Sequence, residues 1–182
     1  MSRHRRPGLW ILGAALALSP VALADDFPAD GASSQPAREH DLLAIIGDAQ
    51  KQFKGNRSTT AAQDARMAMQ INVISFMRQS QAVQDWVGIV KSRGITPDGN
   101  AWISIDIGDG AIMSTWQNER DDANWATMFR PHSPLFGAAK GAQIGQRVTF
   151  SGTVLKSALA ADDEMVNQPQ FIVRFSALKI AQ

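Results

Sequence analysis

The chain has 182 residues, 45% of them apolar, with 18 basic residues against 17 acidic ones and no cysteine. That length and apolar share fit one domain with an appended element and exclude disorder along the whole chain. The missing cysteine excludes a disulfide framework, a thiol nucleophile and a lipid-attachment cysteine, so a packed core alone must hold the fold.

The first residues differ from the rest. Arg3, Arg5 and Arg6 form a basic head, residues 9–18 an apolar run, and Ala22-Leu23-Ala24 an A-x-A cleavage site. This pattern predicts a signal peptide over residues 1–24, cut after Ala24, and a periplasmic or secreted protein. The run is broken by Pro20 and is shorter than the roughly 20 apolar residues of a spanning helix, so no stable membrane insertion is expected after cleavage. Pro7 and Gly8 follow Arg5-Arg6, which favours general secretion over a twin-arginine route. Losing three arginines from the 18 basic residues leaves 15 against 17 acidic ones, a mature net charge of −2. Such a balance lacks the excess positive charge that drives binding to phosphate backbones.

Residues 25–38 hold Pro28, Gly31, Ser33, Ser34 and Pro36 without apolar periodicity and read as a flexible leader. Residues 39–80 read as a helical pair packed on the C-terminal half of the chain. Leu42, Leu43, Ile45, Ile46, Ala49 and Phe53 fall at helical spacing, and Gly55-Asn56 signals a stop. A second helix is expected from about residues 58–60, with Ser58 or Thr60 as cap and Ala65, Ala68, Met69, Val73, Phe76 and Met77 in one stripe. Met67, Met69, Ile71 and Val73 also alternate, which leaves strand open for part of it.

Residues 81–182 are predicted to be strand-rich. The first strand, residues 82–91, carries Val83, Trp86, Val87, Ile89 and Val90, with Gly88 inside it as the mark of a bulge or bend. After the turn cluster Gly94, Pro97, Asp98 and Gly99, a second strand over residues 101–107 alternates Ile103, Ile105 and Ile107 against Trp102, Ser104 and Asp106. Gly108-Asp109-Gly110 turns the chain into a third strand, residues 111–116. A polar connection over residues 117–132 precedes a helix that Ser133 caps and Pro134 opens, ended by Gly141 and Gly145. A fourth strand, residues 146–155, and a fifth, residues 170–180, flank an acidic loop with Asp162, Asp163 and Glu164. In the fifth, Phe171, Val173 and Phe175 face in while Ile172, Arg174 and Ser176 face out.

The stretches Trp86-Val87-Gly88, Trp102-Ile103-Ser104-Ile105-Asp106 and Gly145-Gln146-Arg147-Val148-Thr149-Phe150-Ser151-Gly152, in that order, resemble the strands of exported bacterial OB-fold domains over about half the chain. The fold class expected is mainly β with N-terminal helices: a five-stranded antiparallel OB-like barrel (β-β-β-α-β-β) preceded by a helical pair. The resemblance implies a ligand surface on strands 2 and 3, flanked by the loops between strands 1 and 2 and strands 4 and 5.

Enzyme signatures are weak. His40 and His132 stand far apart outside any zinc spacing, and no G-x-S-x-G elbow occurs. Residues 106–110 lack the alternating oxygen ligands of a calcium loop and fit a hairpin turn better, and Met67, Met69 and Met77 fit core packing better than copper. No metal or cofactor is expected, and the chain reads as non-enzymatic. Trp102, Asp106, Trp116 and Arg174 are the candidate ligand-binding residues: tryptophan for contact area, aspartate as acceptor, arginine as planar donor. Burial of Trp102 beneath the helices is the rival reading. The expected partner is a protein or small ligand of the envelope; alternatives are single-stranded nucleic acid, and a toxin or wall-degrading enzyme blocked by the acidic loop.

Overall fold

The computed structural model describes residues 35–55, 59–158 and 166–181. Residues 1–24, read from the sequence as a signal peptide, most of residues 25–38, read as a leader, and the acidic loop residues 162–164 lie outside them. Helix α1 (Ala37–Gly55) begins one residue after Pro36, whose carbonyl accepts the Glu39 and His40 N–H groups. It starts two residues earlier than the apolar spacing indicates. Helix α2 (Thr59–Gln79) is helical throughout, with Ala65, Met69, Val73, Phe76 and Met77 buried against α1 and the barrel. Met67 and Ile71, which would share a strand face with Met69 and Val73, point to solvent instead. Arg38 ties the pair together: its guanidinium lies 4.1 Å from the Phe76 ring centroid and donates to the Phe76 and Ser80 carbonyls.

Five strands close into a barrel: β1 (Ala82–Ile95), β2 (Ala101–Asp106), β3 (Ile112–Ser114), β4 (Arg147–Ala158) and β5 (Gln170–Ile180), in the order β1-β2-β3-β5-β4. Four of the five seams are antiparallel. The fifth is parallel, with Ile112, Met113 and Ser114 opposite Gln170, Phe171 and Ile172, which corrects the fully antiparallel cylinder expected from the sequence. Strands β3 and β5 are separated by a long connection, and that excursion lets them run the same way. Inside stand Ile103, Ile105, Ile107, Met113, Phe171 and Val173, all fully buried, with Trp86 and Phe150 beside them.

Gly88 is not the bulge that its place in β1 suggests. The register of β1 shifts between Val83 and Trp86 and again between Val90 and Ser92. At Gly88 the strands instead approach closely: a Cβ there would stand 2.5 Å from Ile105 Cγ2 and 2.6 Å from the Asp106 carbonyl oxygen. Side-chain loss, not left-handed backbone, is what this glycine supplies.

The connection from β3 to β4 holds two short helices, α3 (Glu119–Asp122) and α4 (Phe136–Gly141). Ser133 does not cap α4; Leu135 precedes the helix and makes no side-chain cap, and the Ser133 hydroxyl is buried without a partner. Helix α4 closes one end of the barrel, packing against β1, β2 and β5 with Ala139 and Ala142 buried. Helix α1 lies across the other end, by the β2–β3 turn. Helix α1 therefore plugs an opening, held by Gln50 to the Asp109 carbonyl and Glu39 to the Val87 N–H, and leaves the outer wall of β2 to other elements.

Candidate functional site

The outer wall is built by alternation. Burying Ile103 and Ile105 sends Trp102, Ser104 and Asp106 outward on β2, and Met113 inside sends Ile112 and Ser114 outward on β3. The register aligns the rows: Ser104 faces Ser114 across β2 and β3, and Ser114 faces Ile172 across β3 and β5. Thr115 carries the β2–β3 pairing one step further, donating its N–H to the Ile103 carbonyl while its hydroxyl accepts the Ile103 N–H at 3.2 Å. The β3 pairing goes no further: Phe129, not residue 117, takes the place opposite Ala101, and Trp116 stands just past the end of β3.

The two tryptophans meet different neighbours. Trp102 is half-buried and lies over Gly94 of its β1 neighbour, so closely that a Cβ on Gly94 would stand 2.6 Å from the indole. A glycine opposite an aromatic leaves room for the ring to lie flat on the sheet. Trp116 has the Lys156 ammonium 5.7 Å from its ring centroid, within cation–π range. Its indole N–H is buried and unpartnered, and its backbone N–H donates to the Thr127 hydroxyl at 2.8 Å. Arg174, exposed on β5, donates from Nε at 3.2 Å and from Nη2 to the Trp125 carbonyl.

Asp106 stands apart from Trp102, four residues and about 13 Å along β2. Its carboxylate accepts the Gly108 N–H at 2.9 Å and sits 4.0 Å from the Lys91 ammonium. The structure places it at the hairpin turn.

Two features escaped the reading of the sequence. Lys156 reaches the wall because β4 bulges between Val154 and Lys156, which sets Lys156 opposite the outward Ile172; strict alternation conceals such a step. Asp122, in a segment that reads as polar connection, is buried. Its Oδ1 accepts the Thr127 N–H and hydroxyl, each at 2.6 Å, and the Met128 N–H at 3.3 Å. That hub folds residues 117–129 back onto the wall, where Gln117 donates to the Ser104 hydroxyl and Phe129 pairs with Ala101. The spacing of Asp122 and Thr127 is the one local hint, since carboxylates commonly fold a turn by accepting nearby backbone N–H groups.

No protein-family model, curated protein or solved structure matches this chain. The site is therefore read from its own geometry.

Among the described residues no group of three or more His, Asp or Glu side chains converges on a metal-sized position, and no helix is long and apolar enough to cross a membrane. His40 and His132 are both exposed. The strongest electrostatic perturbation lies at the α1 end. Burial pushes the Glu39 carboxyl from an ordinary 4.5 up to about 7, against the lowering pull of the Val87 N–H, the Gln35 amide and the charge of Arg147. Oε2 of Glu39 accepts from Val87 at 3.0 Å and Oε1 from Gln35 at 3.2 Å.

Proposed function

We propose that this chain is an exported, non-enzymatic binding module whose barrel wall holds a protein partner or small ligand of the cell envelope. The observation that carries the reading is the outer wall to which alternation brings Trp102 on β2 and Arg174 on β5, with the Lys156 ammonium over the Trp116 ring just past β3. Two large aromatics beside two cations supply contact area at small entropic cost, plus donors for carboxylate or backbone carbonyl groups. Asp106 serves this site by setting the β2–β3 turn.

Export rests on the sequence of residues 1–24. Fractionation of cells with N-terminal sequencing of the product tests it, and a mature chain beginning at Asp25 in the periplasm or medium is the expected result. For the wall, Trp116→Ala is expected to remove most of the capture of an envelope partner while leaving the melting temperature within a few degrees. A loss of melting temperature that matches the loss of capture would make the tryptophan a packing residue.

Single-stranded nucleic acid is the second reading, favoured by the same residues, because aromatics on a barrel wall can stack on bases while cations track phosphates. The mature charge opposes it. Filter binding at low salt separates the two: a phosphate-driven interaction is seen there and fades steeply as salt is added. The inhibitor reading rests on Asp162, Asp163 and Glu164, which lie outside the described residues.

A further inference from the structure

Strand β4 outruns its neighbour. Its pairing with β1 stops at Thr153 opposite Ala82, with a last hydrogen bond from the Val154 N–H to the Gln81 carbonyl at 2.9 Å. It continues to Ala158 paired to β5 alone, so among the described residues 155–158 have no strand on the β1 side. Along this free edge runs a shallow groove of about 160 Å³ between α2 and β4, with Ile74, Met77, Val154 and Leu155 in its lining and Arg78 and Lys156 as its cations. Upstream of it α2 exposes Met67 and Ile71, which with Ile74 stand at i, i+4 and i+7 on one face. The opposite stripe of α2 faces the core, so this second apolar stripe has no role in packing the hairpin.

We propose that the groove is a docking site for an extended segment of another protein in which apolar and acidic residues alternate, bound as an added strand on residues 155–158 of β4. Three observations converge on this occupant. An open strand edge offers main-chain hydrogen bonds to an extended chain, and alternate side chains of that chain then fall on one side into the groove. The apolar lining and the Ile74-Ile71-Met67 stripe receive the apolar set. Arg78 and Lys156 meet the acidic set, while a lysine on the edge deters indiscriminate strand pairing. The same cations argue against a second copy of this chain. A two-fold contact through this groove would bring Arg78 and Lys156 toward their own counterparts. The groove shares Lys156 with the Trp116 contact of the wall and otherwise uses none of the wall's candidate residues.

The test uses the whole protein and a fluorescent eight-residue peptide of alternating Val and Glu, followed by anisotropy at neutral pH. Binding is expected, and Ile74→Asp and Arg78→Glu, both at exposed positions, are each expected to weaken it at least tenfold while circular dichroism stays unchanged. Ile144→Asp, at an exposed isoleucine outside the groove, is expected to leave affinity within twofold. The matching Val–Lys peptide and a Val–Glu peptide methylated on alternate backbone nitrogens are each expected to bind at least tenfold more weakly. Equal binding of the methylated peptide would remove the added strand, and equal binding of the Val–Lys peptide would remove the charge selection; either overturns the proposal. So does the absence of binding at millimolar peptide, or a dimer seen by sedimentation that Ile74→Asp dissolves, since that would assign the groove to a second copy.

Discussion

The two ends of the barrel are closed by different physics. At the α4 end the plug is made of small apolar residues, Ala139 and Ala142, with Leu135 and Phe136 packed beside them and a single peripheral hydrogen bond from Arg93 to the Lys140 carbonyl. At the α1 end, Leu42, Ile46 and Ala49 supply the apolar contact, and buried polar groups fix its position. Gln35 donates to the Ile107 carbonyl, Glu39 accepts from Val87, and the Gln50 amide donates to the carbonyls of Asp109, Val166 and Asn167. An apolar plug is tolerant of small shifts, whereas a buried polar set is satisfied in one placement only. The α1 end should therefore be the one whose docking is specific, costly to disturb and dependent on pH.

The largest effect expected is loss of apolar volume beneath α1. Leu42→Ala should lower unfolding free energy by about 2–5 kcal/mol, read from the urea midpoint, because the side chain is fully buried. A smaller loss would mean that α1 rests on the barrel more loosely than its burial implies.

Next comes pH. The Glu39 carboxyl ionises near 4.5 when unfolded and near 7 when folded, so its contribution is complete below 4.5 and declines as pH rises through 7. At about 1.36 kcal/mol per pH unit the swing is at most about 3 kcal/mol. Glu39→Gln should match the wild type near pH 4.5 and exceed it in stability at pH 8. Parallel pH profiles for the two proteins would show that the carboxyl is already ionised in the fold.

Gln50→Ala should cost about 1–3 kcal/mol, since it strands carbonyl groups at the β2–β3 turn and beside Val166. The smallest change belongs to the other end: Arg93→Ala, at an exposed side chain, should stay within about 0.5 kcal/mol. If Arg93→Ala cost as much as Gln50→Ala, the contrast between the two plugs would fail.

Much of the barrel is legible without coordinates because period-2 patterns report which face of a strand is buried. Ile103, Ile105 and Ile107, and Phe171, Val173 and Phe175, stand inside as their alternation predicts. The rule breaks where a face meets something other than water. Ile172 points outward yet is buried, as are Ser104 and Ser114, in the part of the wall that the returning loop joins through Gln117. The candidate site was readable to the same depth. Alternation puts Trp102 and Arg174 on the wall, and only the tertiary contacts bring Lys156 over Trp116 and hold Asp106 at a turn. The Ser133 cap failed for a related reason: a serine before Pro134 is a local signal, and the turn from Arg130 to Phe136 places its hydroxyl away from the helix N–H groups.

By itself the amino-acid sequence determined the order of the elements, the faces that the strands bury and the helical spacing of both N-terminal segments, because each depends on neighbours a few residues apart. Tertiary structure alone decided the parallel β3–β5 seam, the bulge that brings Lys156 to Trp116, the burial of Glu39 and Asp122, and the unpaired end of β4. Those features depend on which distant backbone comes to lie alongside, and on how much longer one strand is than its partner, and no local periodicity encodes either.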